Sequence, residues 1–134
     1  MAISELRLIK HALEYLPKDN INIVPYQTRG IYALYQKSPD QDNYDLVYIG
    51  MARGVQAGIR KRLRSHKKNK PDLWSHFSIF EVWDNIREEE VEELEGLFRH
   101  LFKKDSKANS LNKQKEYKKL NQVRKRTLKE WRIP

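Results

Sequence analysis

Three segments of this chain decide its fold: Gly30-Ile31-Tyr32-Ala33-Leu34-Tyr35, then Tyr44-Asp45-Leu46-Val47-Tyr48-Ile49-Gly50, then Arg60-Lys61-Arg62-Leu63-Arg64-Ser65-His66. The first two are rich in β-branched and aromatic residues, which favour strands. The residues between them, Ser38-Pro39-Asp40-Gln41-Asp42-Asn43, are almost all turn formers. We therefore predict a β-hairpin followed by a basic helix.

Alternation along the predicted strands brings two phenols to the same side of the hairpin. It puts Tyr32 on one face of the first strand, and it puts Leu46 and Tyr48 together on one face of the second. In the basic segment, Arg62 and His66 are four residues apart, so they share a face of the predicted helix. Two tyrosines, an arginine and a histidine beside a positive helix indicate a site for a phosphate.

The two tripeptides Gly30-Ile31-Tyr32 and Tyr48-Ile49-Gly50 occur in this order, separated by a gap of hairpin length. With the arginine and histidine that follow at helical spacing, they resemble the GIY-YIG nuclease superfamily, whose name spells these tripeptides. The resemblance covers residues 29–112, which is most of the chain.

The resemblance implies a small α/β (α+β) fold. Its sheet has three strands, is mainly antiparallel, and is formed by residues near 30–37, 45–50 and 76–83. Helices near residues 55–69 and 87–104 pack on this sheet, and extra helices extend the fold at each end.

The remaining sequence predicts one domain over residues 1–134, with helical extensions. Residues 4–15 have the pattern of a short amphipathic helix that ends at Pro17, with His11 as an ordinary surface residue. Residues 21–25 are expected to form an extended segment that leads into the first core strand. The domain then divides into an N-terminal helical extension, a nuclease core and a basic C-terminal helix, at residues 1–28, 29–112 and 113–134.

The third predicted strand carries apolar groups on both faces over residues 74–83. A strand of this kind is expected to be central in the sheet, with helices on both sides. The helix that follows has an apolar stripe at helical spacing and a cap at Asp84 or Asn85.

Glu95 lies beside that stripe, next to Leu94. A carboxylate at the buried edge of a helix needs a cationic partner or a function. The structural alternative is a salt bridge to Arg62 or Arg99. The resemblance instead implies that Glu95 is the single metal ligand of the site.

The charge balance predicts a polyanionic partner. The chain has 27 Lys and Arg residues against 18 Asp and Glu residues, a net charge of +9. Such an excess favours a nucleic acid, and here we favour DNA while leaving RNA open. The residues expected to contact the nucleic-acid backbone are Arg53, Arg60, Lys61, Arg64, Lys67, Lys68, Lys119, Arg124, Lys125 and Arg126.

Several other classes of protein are excluded by composition. The chain has no cysteine, so disulfides and cysteine-ligated zinc or iron–sulfur sites are ruled out. No apolar run approaches the roughly 18 residues of a membrane span, and charges at Arg7 and Lys10 interrupt the N-terminal candidate for a signal peptide. We therefore expect a cytoplasmic protein without a membrane partner, and its oligomeric state is left open.

The resemblance implies a metal-dependent endonuclease that hydrolyses phosphodiester bonds of DNA. One Mg²⁺ or Mn²⁺ ion would be held by Glu95. Arg62, with Arg60 as the alternative, would bind the phosphate. Tyr32 or Tyr48 would be the general base, and the sequence does not choose between them.

His66 would orient or deprotonate that tyrosine. An ordinary phenol has a pKa of about 10, so a neighbouring group must favour the loss of its proton at neutral pH. The family also has an asparagine that closes the site, for which Asn112 is favoured over Asn109. The alternative function is a basic nucleic-acid-binding module that has the same fold and does not cut.

Overall fold

The computed structural model describes residues 8–39, 43–53, 58–104 and 118–133, and for residues 99–104 and 118–121 it describes the backbone alone. In chain order its elements are β1 (Ile9–Pro17), a 3₁₀ helix (Lys18–Ile23), β2 (Gly30–Lys37), β3 (Tyr44–Ala52), α1 (Ile59–Asn69), β4 (His76–Val82), α2 (Glu88–Lys104) and α3 (Lys118–Glu130). None of these described helices is long and apolar enough to cross a membrane.

The strands form an open four-stranded sheet in the order β1-β4-β2-β3. Each neighbouring pair is antiparallel. The mixed α and β class and the antiparallel pairing are therefore confirmed, and β4 is central as predicted. The predicted number of three strands is wrong, since the described sheet has a fourth strand at one edge.

That fourth strand corrects the prediction of an N-terminal helix over residues 4–15. Ile9–Pro17 instead pairs with β4, with Ala12 opposite Phe80 and Pro17 opposite His76. By pairing with β4, this strand forms hydrogen bonds with the backbone N–H and C=O groups at the edge of β4. A helix at this place would leave those groups unpaired. The part of the prediction that falls on residues 1–7 lies outside the described residues.

Two smaller predictions are also wrong. Residues 21–25 were expected to be extended, and the first three of them belong to the 3₁₀ helix. The residue before α2 is Arg87, and the Glu90 carboxylate accepts its backbone N–H at 3.0 Å. This is the return half of a capping box, so α2 does not use Asp84 or Asn85 as its cap.

The sheet carries one apolar cluster on each face. The cluster beneath α1 includes Tyr32, Leu34, Leu63, Phe77 and Ile79. The cluster on the opposite face, beneath α2, includes Ile31, Ala33, Ile49, Val82 and Val91. Residues of odd and even number in β2 thus point into different clusters, which explains why helices cover both faces.

A β-bulge in β3 changes which side chains share a face. Leu34 pairs with Tyr48, but the next residue, Tyr35, pairs with Leu46. Val47 is the extra residue, and Leu46 therefore packs with the cluster beneath α2. The prediction that Leu46 and Tyr48 share a face is wrong, because it assumed unbroken alternation.

Helix α3 is tied to β1 through buried polar contacts. The Thr127 hydroxyl accepts the backbone N–H of Ala12 at 2.9 Å and donates to the Val123 carbonyl at 2.8 Å. His11, predicted as a surface residue, is 5% exposed. Its Nδ1 lies 2.6 Å from Glu81 Oε1, and its Nε2 lies 2.5 Å from Glu130 Oε2. One imidazole therefore joins β1, β4 and α3.

This contact predicts a pH-dependent stability. Burial lowers the pKa of His11, but hydrogen bonds and charges from Glu81 and Glu130 outweigh it and raise the pKa above 6.5. The hydrogen bond to His11 lowers the pKa of Glu130 below 4.5. The contact between His11 and Glu130 should therefore stabilise the fold fully between pH 4.5 and pH 6.5, the ordinary pKa values of the two groups. It should be lost as pH rises through the folded pKa of His11, and also as pH falls through that of Glu130.

The measurement is the melting temperature of wild type and His11→Gln across pH. We expect the wild type to exceed the variant by a few degrees in the window and by less outside it. Glu130→Gln should lower the pH at which the stabilisation is lost on the alkaline side, because Glu130 raises the pKa of His11, and it should remove the loss on the acid side that Glu130 causes. Parallel curves for wild type and His11→Gln would contradict this account.

Candidate active site

Tyr32, Tyr48 and His66 form one aromatic cluster on the α1 face of the sheet. The ring centroids are 6.1 Å apart for Tyr32 and Tyr48, 5.6 Å for Tyr32 and His66, and 5.0 Å for Tyr48 and His66. The Tyr32 hydroxyl and His66 Nε2 are 2.8 Å apart, the distance of a hydrogen bond. The structure thus brings three of the predicted site residues into contact.

Two glycines allow this arrangement. A Cβ on Gly50 would lie 2.5 Å from the Tyr32 hydroxyl and 2.7 Å from Tyr48 Cε2. Gly30 has a φ of 149°, and a Cβ there would lie 2.1 Å from the carbonyl oxygen of Phe80. Gly50 therefore makes room for both phenol rings, and Gly30 lets β2 approach β4 closely.

The two tyrosines differ in access to solvent. Tyr32 is 1% exposed, whereas Tyr48 is 37% exposed. A reactant arriving from solvent can reach the ring of Tyr48, while the hydroxyl of Tyr32 is held inside against His66. The sequence does not distinguish the two tyrosines, whereas in the structure their exposed fractions differ widely.

The surroundings of His66 favour its neutral form. Burial lowers its pKa below the ordinary value, and the positive charges of Lys70 and Arg62 lower it further. A neutral imidazole has one nitrogen that accepts a hydrogen bond and one that donates. With its proton on Nδ1, His66 can therefore accept a hydrogen bond from the Tyr32 hydroxyl at Nε2.

The predicted arginines lie on different sides of α1. Arg62 is exposed and lies one turn before His66, whose pKa its charge lowers. Arg60 contacts Tyr26 and donates to Asn22, on the side that faces the 3₁₀ helix. Arg62 is therefore the arginine that shares a side of α1 with the aromatic cluster.

Glu95 is 7% exposed, a deep position for a carboxylate. It lies on α2 beside Val91 and Leu94, which pack against the face of the sheet opposite α1. Helix α2, which carries Glu95, therefore lies on the face of the sheet opposite the aromatic cluster, and β3 is the edge strand of that sheet. The described residues contain no group of three or more His, Asp or Glu side chains that could hold a metal ion.

The cations predicted to bind nucleic acid divide into two groups. Some are engaged by the protein itself. Arg53 pairs with Glu92 at 3.5 Å, Lys67 with Asp19 at 3.2 Å, and Arg124 with Glu14 at 3.8 Å. Arg126 donates to the carbonyl of Lys10 at 2.7 Å and lies over Trp83. Arg60 and Arg64 donate to Asn22, and Lys61, Lys68 and Lys125 are exposed.

Three predicted positions cannot be placed in this geometry. Asn112 and its alternative Asn109 lie outside the described residues, as does the side chain of Lys119. Sequence reasoning assigned no function to Tyr26 and treated His11 as a surface residue. In the sequence, Tyr26 is only an aromatic residue in a short loop after Pro25. That pattern does not indicate which element the loop packs against.

Comparisons of this chain with protein-family models, with curated proteins and with solved structures found no match.

Proposed function

We propose that this protein is a metal-dependent endonuclease of the GIY-YIG type that hydrolyses phosphodiester bonds of DNA. The observation that carries the proposal is the contact of Tyr32, Tyr48 and His66 beside Arg62. Helix α1 has six lysines and arginines in Ile59–Asn69 and no acidic residue. A polyanion approaching this helix would therefore meet the aromatic cluster at its side.

Tyr48 is proposed as the general base. It is the more exposed of the two tyrosines, so its hydroxyl can release its own proton to solvent, and the resulting phenolate can take a proton from a water that attacks phosphorus. Its ring contacts that of His66. Tyr32 is proposed as a positioning residue, because its buried hydroxyl holds the imidazole of His66. This division of roles rests on the difference in exposure.

Arg62 is proposed to bind the scissile phosphate. Its guanidinium can donate two parallel hydrogen bonds to the non-bridging oxygens. The charge on those oxygens increases as water adds, so the arginine favours the transition state over the ground state. The exposed position of Arg62 on the His66 side of α1 supports this role.

Glu95 is the residue that would hold a divalent ion. Mg²⁺ is usually bound by one or two carboxylates, with waters and substrate phosphates filling the other positions. A single buried carboxylate fits that mode, and the absence of a larger acidic cluster among the described residues does not conflict with it. When bound, the ion would supply positive charge to the phosphate and to the departing oxygen.

The test is a supercoiled-plasmid nicking assay with Mg²⁺, with Mn²⁺ and with EDTA. We expect nicking with either ion and none with EDTA. Purified Arg62→Ala should lose nicking and part of its DNA binding. A wild type that binds DNA and never nicks it would refute the enzyme and favour the non-catalytic binding module.

The lowered pKa of His66 predicts the pH dependence of cleavage. Burial and the charges of Lys70 and Arg62 keep His66 neutral below the ordinary histidine value of 6.5. The contribution of neutral His66 to the cleavage rate should therefore be retained as pH falls to that value and be lost only below it, as the imidazole takes up a proton. NMR titration of the histidines should give His66 a midpoint below 6.5 and His11 one above it. A His66 midpoint above 6.5 would contradict this assignment.

A further inference from the structure

An exposed tyrosine lies beside α1 in a place that the proposed reaction does not use. Tyr26 is 67% exposed. The guanidinium of Arg60 lies 4.0 Å from the centre of its ring, and that of Arg64 lies 5.8 Å away. We call these three residues the Tyr26 platform. An exposed aromatic ring backed by two arginines is a recurring element of nucleic-acid-binding surfaces.

The platform is held in place by neutral contacts. The amide oxygen of Asn22 accepts hydrogen bonds from Arg60 at 3.3 Å and from Arg64 at 3.0 Å. Because this acceptor is uncharged, it orients both guanidinium groups without cancelling their charge. Arginine is suited to this double use, since its planar group can stack on a ring and still donate to a phosphate.

The loop that carries Tyr26 is anchored on its other side. The Thr28 hydroxyl donates to the Pro25 carbonyl at 2.7 Å, and the Thr28 carbonyl accepts the N–H of Ile59 at 2.8 Å. Thr28 is 1% exposed, and Gln27 has a positive φ of 66°, which sets a sharp turn. These contacts join the loop to the start of α1 and leave the ring of Tyr26 outside.

The platform and the aromatic cluster lie on different sides of the same helix. At about 3.6 residues per turn, Arg60 and Arg64 face away from Arg62 and His66. Lys61 and Lys68 are exposed between the two sides. An α-helix with its side chains is about 10–12 Å across, so a strand crossing α1 would meet both sites within a few nucleotides.

We propose that the Tyr26 platform binds an unpaired nucleotide of the substrate, with the base stacked on Tyr26 and its phosphate bound by Arg60 and Arg64. This deepens the proposed function and rests on its nucleic-acid partner. Within a duplex, the faces of a base are covered by neighbouring bases, whereas an unpaired base can leave the stack for an aromatic side chain. The substrate class is thus a nucleic acid with a single-stranded segment near the cleaved bond.

The test compares Tyr26→Leu with Tyr26→Phe as the matched control, since phenylalanine keeps the ring. The probes are a single-stranded oligonucleotide carrying 2-aminopurine and a blunt duplex of the same sequence, both in EDTA to prevent cutting. Tyr26→Leu should weaken single-strand binding roughly 5- to 150-fold, the loss typical of one stacked base, and duplex binding by less than about twofold. Tyr26→Phe should bind both probes like the wild type.

Fluorescence supplies a second readout. Wild type and Tyr26→Phe should quench 2-aminopurine by stacking, and Tyr26→Leu should not. Equal single-strand affinities for wild type and Tyr26→Leu, with unchanged quenching, would overturn the platform while leaving duplex binding and nicking intact. A wild type that binds neither probe would overturn the nucleic-acid partner itself. Because Tyr26 is largely exposed, Tyr26→Leu is expected to fold, and melting temperatures check this.

Discussion

Glu95→Gln is expected to abolish metal-dependent nicking, with a loss of about 10³-fold or more. An ion at this site would contribute several kcal/mol of charge stabilisation, and each 1.36 kcal/mol corresponds to about tenfold in rate. Glutamine has the shape of glutamate without its charge, so a position that is 7% exposed should still be filled. DNA binding in EDTA should stay at the wild-type level or increase, because the change removes a negative charge.

The matched control is Glu92→Gln on the same helix. Glu92 is exposed and pairs with Arg53 at 3.5 Å, so its loss should cost little stability and no nicking. Mn²⁺ binding by calorimetry gives a readout independent of activity, and Glu95→Gln alone should lose it. If Glu95→Gln nicks at the wild-type rate, or binds Mn²⁺ as wild type does, then Glu95 is not the metal ligand.

The central part of the fold could be predicted because its signals are local. The hairpin of β2 and β3 follows from two strand-like segments with turn formers between them. The apolar groups on both faces of residues 76–82 correctly predict a central strand. The stripe of α2 is confirmed only in part, since Val91 and Leu94 pack on the sheet whereas Leu97 and Phe98 are exposed. In each case the period of the apolar residues agrees with the structure that forms.

Strand β1 could not be predicted, because its signal is not local. Ile9, Leu13 and Leu16 fit the spacing of an amphipathic helix. In the structure, two irregularities in register interrupt their alternation, and pairing with β4 residues that lie 59 to 73 positions later decides the conformation. The error carried over to His11, which a surface helix would expose and which β1 buries between two carboxylates.

The candidate site, like the fold, could be predicted only where its signal in the sequence is local. The spacing of Tyr32, Tyr48 and His66 was enough to predict that they converge. The difference in exposure between the tyrosines depends on how α1 covers the sheet, which no local pattern reports. The position of Tyr26 beside Arg60 depends on the return of the loop to α1 in the same way.

Tyr48→Phe is the variant that tests the proposed chemistry most directly. It keeps the ring that contacts Tyr32 and His66 and removes only the hydroxyl. If Tyr48 is the general base, the single-turnover cleavage rate should fall about 10²–10⁴-fold. Because Tyr48 is partly exposed, the melting temperature should change little. DNA affinity in EDTA should also stay near the wild-type value.

Tyr32→Phe is the matched comparison, and its pattern of effects should be the reverse. The hydroxyl it removes is buried and bound to His66 Nε2, so stability should fall and the pKa of His66 should move in an NMR titration. The rate should fall only about 2- to 10-fold, since one hydrogen bond contributes about 0.5–1.5 kcal/mol. A larger rate loss in Tyr32→Phe than in Tyr48→Phe would exchange the two roles, because it would mean that the buried phenol, and not the exposed one, takes the proton.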